Sequence, residues 1–255
     1  WGTGVSDAHT YPSIFASKNN MPTINFGESG YIARQSLAYL SNLLISNKDR
    51  NLSGVTIVFY DGANDVGDRC RSEISGLGTG REHSIRRLLD ETNSKKKWSL
   101  ARTFAQTTDF LKSVLYKFGV NVVTNMSSTL YDCASNPIRA QEVARSLLET
   151  WLLASELTKS RGGKFIAILQ PVAYIGTNQT GYLALETPND LALMEQYKAV
   201  YPLIRNLVSR YNFDFFDFSS IYDDCENCYI DFIHVGPQGH ALISEKLSTH
   251  LVKYE

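Results

Sequence analysis

Near the C-terminus, Asp231-Phe232-Ile233-His234 sets a carboxylate and an imidazole three residues apart, so that one loop can aim both at a common point. A carboxylate accepting the Nδ1–H of an imidazole fixes its tautomer and leaves Nε2 to take a proton from a hydroxyl. Asn64 stands in Gly62-Ala63-Asn64-Asp65, directly after an apolar run. An amide donor projecting from such a position can stabilise a developing oxyanion, worth roughly 3–4 kcal/mol in a transition state. Gly30, in Asn25-Phe26-Gly27-Glu28-Ser29-Gly30, offers a backbone N–H that an oxyanion can approach because no side chain intervenes. Taken singly, the Asn and Gly also fit ordinary turns, and the Asp-His pair also fits a helix start beside a surface histidine. His9, His83, His240 and His250 have no comparable setting and read as structural or exposed.

Positioning these groups requires elements that end at one place. Five apolar runs of strand length predict strands over Pro22–Phe26, Val55–Tyr60, Val120–Thr124, Lys164–Gln170 and Phe213–Phe218. Between and after them, helical periodicity covers Ile32–Ser46, Leu100–Tyr116, Ile138–Lys159, Leu191–Tyr211 and Pro237–Lys253, with Pro237 suited to a first helical turn. Alternating strands and helices imply an α/β fold, a three-layer α/β/α sandwich around a mainly parallel sheet. Ligands in such folds bind beyond the carboxyl ends of the strands, which is where all three polar groups fall. One domain spans residues 1–255, interrupted at about 66–97 by a polar, Gly-rich insertion that is a candidate lid or binding loop.

Asn25-x-Gly27-x-x-Gly30, then Gly62-x-Asn64-Asp65, then Asp231-x-x-His234 about twenty residues before the end together resemble three of the sequence blocks of the SGNH (GDSL-like) hydrolases. The resemblance runs from Trp1 to the C-terminal helix, with the insertion after Asn64 least like the family, and implies a flavodoxin-like, five-stranded sheet. It makes His234 the general base, Asp231 its orienting acid, and Gly30 and Asn64 oxyanion-hole donors. The family's first block, which carries the nucleophilic serine, is missing. Trp1-Gly2-Thr3-Gly4-Val5-Ser6-Asp7, running on to Tyr11-Pro12, resembles the continuation of that block, which puts the nucleophile a few residues upstream of Trp1. Ser29 and Ser6 are the alternatives within the chain. Ser29 is one residue short of a Gly-x-Ser-x-Gly elbow because position 31 is Tyr.

The resemblance implies a serine esterase that removes short acyl groups, acetyl above all, from a glycan or small ester, with no cofactor and no metal. The same groups would serve an O-acyltransferase, and a chain that lost its serine would be a glycan-binding domain. Relatives with this style of first block resemble envelope-anchored, glycan-modifying proteins, which implies a periplasmic or cell-surface setting and an upstream anchor. Tyr31, Tyr60 and Phe232 flank the three blocks as pocket or core aromatics.

The charge balance of 25 basic and 26 acidic residues excludes the basic excess of a nucleic-acid binder. No run approaches the roughly 18 apolar residues of a transmembrane span. Cys225-x-x-Cys228 lacks two further ligands at zinc spacing, and reads as a local disulfide or free thiols bracing the Asp231 loop. Cys70 and Cys133 form a second candidate pair.

Overall fold

The computed structural model describes residues 2–46, 51–74, 80–93, 130–177 and 180–251. Within them the chain is α/β. A parallel sheet of three strands, β1 (Thr56–Asp61), β2 (Lys164–Leu169) and β3 (Asp214–Asp217), runs in the order β1-β2-β3. Val58 faces Ile166 across the first ladder, and Ile168 faces Phe216 across the second. Seven α-helices accompany the strands among the described residues: α1 (Tyr11–Asn19), α2 (Ala33–Ser46), α3 (Ala63–Arg69), α4 (Gly80–Asn93), α5 (Pro137–Lys159), α6 (Pro188–Leu207) and α7 (Pro237–Leu251).

The central strand explains the layering. Side chains alternate along β2 with a period of two. Phe165, Ala167 and Leu169 join one core with Leu40 and Leu44 of α2, Leu147 and Trp151 of α5, and Val200 and Ile204 of α6. Ile166 and Ile168 join a second core with Phe15 of α1 and Ile243 and Leu247 of α7. Helices therefore cover both faces of the sheet, which is why this strand is apolar on both sides. Local chemistry starts the helices that follow. Asn136 accepts the N–H of Arg139 ahead of α5, and Thr187 and Asp190 form a reciprocal capping box ahead of α6. Each of these two helices also has Pro in its first turn.

Three of the predicted strands and four of the predicted helices are present, with ends shifted by a few residues. The strand expected over Pro22–Phe26 is not: the segment carries no strand pairing, and Ile24 and Phe26 are 67% and 44% exposed. The physical reason is burial: side chains this exposed gain nothing from extended pairing, even though one edge of β1 is free of described strands. The polar insertion at about 66–97 contains the end of α3 and all of α4. Helix α1 was invisible because only Phe15 of its nine residues is buried, leaving no periodic stripe. The predicted Leu100–Tyr116 helix and Val120–Thr124 strand lie outside the described residues.

A disulfide joins Cys70, just past α3, to Cys133, just before α5, and a second joins Cys225 to Cys228. The first closes a loop of 63 residues, which constrains the unfolded chain by roughly 4 kcal/mol in the chain-entropy picture. Among the described residues no helix is long and apolar enough to cross a membrane.

Burial separates the two apolar segments experimentally. Phe165→Ala in β2 should cost roughly 3–5 kcal/mol of unfolding free energy by urea titration. Ile24→Ala should stay within about 0.5 kcal/mol; a loss above about 1.5 kcal/mol there would mean that residues 22–26 are packed as a strand after all.

Candidate functional site

Parallel strands all exit at one edge, and each exit here carries a polar group. β1 ends at Asp61 and turns through Gly62, whose φ of +120° excludes a side chain. A Cβ on Gly62 would also come within 2.7 Å of Leu169 in β2. The turn leads straight into α3, with Asn64 at its second position. The Asn64 Nδ2 donates to the carbonyl of Tyr31 at 3.0 Å. That bond holds the Gly30–Tyr31 loop, where Gly30 has φ +75°, against the turn after β1. An amide has two N–H groups, so one locks the side chain and a second remains.

Beyond β3, the chain forms a narrow hairpin. Tyr229 and Val235 make an antiparallel bridge, Ile230 N–H donates to His234 O at 2.8 Å, and Gly236 N–H donates to Cys228 O at 2.9 Å. Asp231 to His234 are the tip. One Asp231 oxygen accepts the N–H of Ile233 at 2.9 Å and of His234 at 2.7 Å, and the other lies 2.7 Å from His234 Nδ1. A carboxylate beside Nδ1 selects the tautomer with its proton there, leaving Nε2 unprotonated. Partial burial alone would push the Asp231 carboxyl up, but the two backbone N–H donors and the ring outweigh it and hold the group below its usual range. The side chains of His234 and Asp231 keep 39% and 45% of their surface exposed, so the imidazole is reachable.

The hairpin is tied to the other two exits. Phe232 O accepts Ala173 N–H at 2.9 Å from the loop after β2. The Phe232 ring stacks on Tyr174 at 5.6 Å, Tyr174 tilts against Tyr197 at 5.8 Å, and the Tyr197 hydroxyl donates to Ala63 O at 2.9 Å, beside Asn64. The start of the chain reaches the same hairpin: Gly4 has φ +93°, and a Cβ there would collide with Ile230 and lie 3.4 Å from Val235 O.

The structure thus joins Asp231 to His234 and the Gly30 loop to Asn64 by direct hydrogen bonds, and links the two pairs through Ala173, Tyr174 and Tyr197. It does not bring in the alternative serines. Ser6 pairs with His9 at 2.8 Å, and neither Ser6 nor Ser29 is bonded to His234. His240 is buried, accepts Tyr11 N–H on Nδ1, and is pushed down to about 4, chiefly by desolvation. His250 stacks on Phe216. Tyr60 is a core residue packed on Tyr11, Phe232 touches both cores, and Tyr31 is half-buried. Cys225 and Cys228, bonded to each other, are closed to metal, and no group of three acidic, His or Cys side chains among the described residues could hold an ion.

Two acids behind the site were not singled out by the sequence reading. Asp61 and Asp65 are 7% and 2% exposed. Asp61 accepts the Trp151 indole N–H at 3.2 Å and the Ser36 hydroxyl at 3.4 Å. Burial, then the charge of Asp65, raises Asp61 to about 7. Burial likewise raises Asp65, to about 6, against the pull of Arg69 and of backbone N–H donors. An Asp closing an apolar strand was the visible cue; its indole partner, ninety residues away, was not.

No family model matches the chain, and no curated protein matches it at a significant level.

The buried pair has a pH signature. A carboxyl raised on folding favours the folded state fully below its unfolded value near 3.8, and that contribution is lost as pH rises through about 7. Asp61→Asn keeps the shape and removes the charge, so it should gain stability over the wild type at pH 8 and little at pH 4. Urea midpoints at the two pH values measure this; an equal shift at both would show that Asp61 is not the titrating partner.

Proposed function

We propose that this chain forms the greater part of a serine-dependent ester hydrolase of the SGNH type, acting on short acyl groups, acetyl above all, carried by a glycan or small ester. The observation that carries the reading is the Asp231–His234 hairpin tip, a carboxylate-oriented imidazole with an open Nε2 at the sheet edge that also carries Asn64 and Gly30. The nucleophile is a serine upstream of Trp1. The close approach of Gly4 to Ile230 and Val235 supports this, because it puts the start of the described chain against the hairpin that carries His234.

In this reading His234 Nε2 takes the serine proton as the hydroxyl attacks the ester carbonyl, and Asp231 stabilises the imidazolium that forms. The oxyanion receives the Gly30 N–H and the second N–H of Asn64. His234 returns the proton to the departing alcohol. Water, deprotonated by the same ring, then releases the acid from the acyl-serine. No step needs a metal or a cofactor. The five-stranded form of the fold belongs to this proposal: β1 has one edge free of described strands, where further strands would pair. An extracytoplasmic location also belongs to it, supported by two disulfides, which persist in oxidising compartments.

With full-length protein, a fluorophosphonate should label one serine upstream of Trp1, located by peptide mass spectrometry. Hydrolysis of p-nitrophenyl acetate should fall at least about a thousandfold in His234→Ala and roughly a hundredfold or more in Asn64→Ala. Labelling of Ser29 or Ser6 would move the nucleophile into the chain. Absent labelling together with absent turnover would leave a glycan-binding domain.

A further inference from the structure

Helix α2 begins without a cap of its own. The residue ahead of it, Ile32, has no side-chain oxygen, yet helix N-termini leave backbone N–H groups that need acceptors. Ile32 N–H is accepted by Gln35 Oε1 at 3.1 Å, within the helix's first turn. Ala33 N–H, wholly buried, finds no acceptor nearby in sequence. It is met by the carboxylate of Asp65, 32 residues further on, with both oxygens at 3.2 and 3.1 Å. The same residue stands in the first turn of α3, directly after the Gly62 turn that follows β1. A negative group here also suits the positive end of the helix dipole.

Its neighbour Asn64 holds the Tyr31 carbonyl at 3.0 Å. Two consecutive residues of α3 therefore grip both ends of Tyr31-Ile32-Ala33, with Ile32 fully buried between them. Gly30 is the next residue out. The spacing between the Gly30 N–H and the Asn64 amide is fixed by two bonds, one from each acidic-turn neighbour, and removing either allows the loop to drift.

We propose that Asp65 is a positioning residue for acyl transfer: it caps α2 from outside and clamps the Gly30 loop onto the Asn64 turn, so that both donors address one oxyanion. The inference rests on the ester-hydrolase reading for its chemical consequence, but the clamp itself can be observed without it. Asp65 touches no substrate. Its loss acts on the transition state alone, because only there does the oxyanion exist, and a misplaced donor of this kind costs roughly ten- to a hundredfold in rate.

Two variants weaken the same contact from opposite sides. Asp65→Asn removes the charge and presents one acceptor oxygen where two were. Ala33→Pro removes the N–H at a first helical position, where proline's geometry fits, and leaves Asp65 untouched. In full-length protein, each should lower kcat for p-nitrophenyl acetate roughly ten- to a hundredfold with KM within about twofold, the pattern of an interaction made only in the transition state. The double variant should be no worse than the weaker single, since both act on one contact. By NMR hydrogen exchange, Asp65→Asn should speed the Ala33 amide about tenfold or more while amides of α7 keep their protection.

An unchanged kcat in Asp65→Asn, or multiplying losses in the double variant, overturns the proposal. If Asp65→Asn does not fold, Ala33→Pro decides alone by the same kcat and KM criterion. The two levels of claim fail differently. No turnover in the wild type sinks the esterase reading and Asp65's part in it, whereas turnover with an unaltered kcat in both variants sinks only Asp65.

Discussion

Parallel pairing is the constraint on which everything else here depends. Because β1, β2 and β3 run in one direction, their three exits share one edge, and whatever follows each strand is delivered to the same place without any long-range design of the loops. Burial of β2 on both faces makes this arrangement stiff. Its five buried residues, Phe165 to Leu169, are divided between two cores, so a one-residue slip would exchange the large side chains of one core with those of the other. The register of the ladders, and so the relative heights of Asn64 and the Asp231 hairpin, is pinned by packing far from either.

On that stiff edge sits a polar layer that works by saturation. Asp231 accepts three hydrogen bonds within four residues, from two backbone N–H groups and the His234 ring. Such a carboxylate cannot rotate without losing several bonds at once, which makes it a good orienting group and keeps it ionised. Asp61 and Asp65 face the opposite condition, being buried close together and raised. Their burden is a desolvated negative pair, eased by Trp151, Ser36, Ala33 and Arg69. Keeping polar groups behind a turn where apolar ones would pack more stably is reasonable where geometry matters more than stability.

Much of this was readable from residue order, and what was not has definite causes. The apolar runs ending at Tyr60, Gln170 and Phe218 announced β1, β2 and β3, because strands covered on both faces need no alternation to be recognised. The run Pro22–Phe26 looked the same and is not a strand, since apolar character does not by itself supply burial, and Ile24 and Phe26 stay in solvent. Helix α4 was hidden in a stretch whose glycines and charges suggest a loop, and α1 by the lack of a stripe. The Asp231–His234 bond was legible because three residues cannot carry the two groups far apart. The Asn64–Tyr31 and Asp65–Ala33 bonds were not, since each joins residues more than thirty positions apart whose approach depends on how α2 packs.

These two bonds also change what the Gly-x-Asn-Asp sequence is for. Read as chemistry alone, Asn64 is an oxyanion donor and Asp65 a bystander that follows it. In the fold, the two side chains grip opposite ends of one three-residue loop, and Asn64 uses one N–H as an anchor. A Gln at position 64 would carry the same amide one methylene further out and could not satisfy Tyr31 O and an oxyanion from the same place. A Ser would make the anchor and lose the donor. On the proposed reading, the demand for a short, two-donor, uncharged side chain comes from doing both tasks at once, and the acid beside it secures the far end of the loop that Asn64 alone would leave hinged.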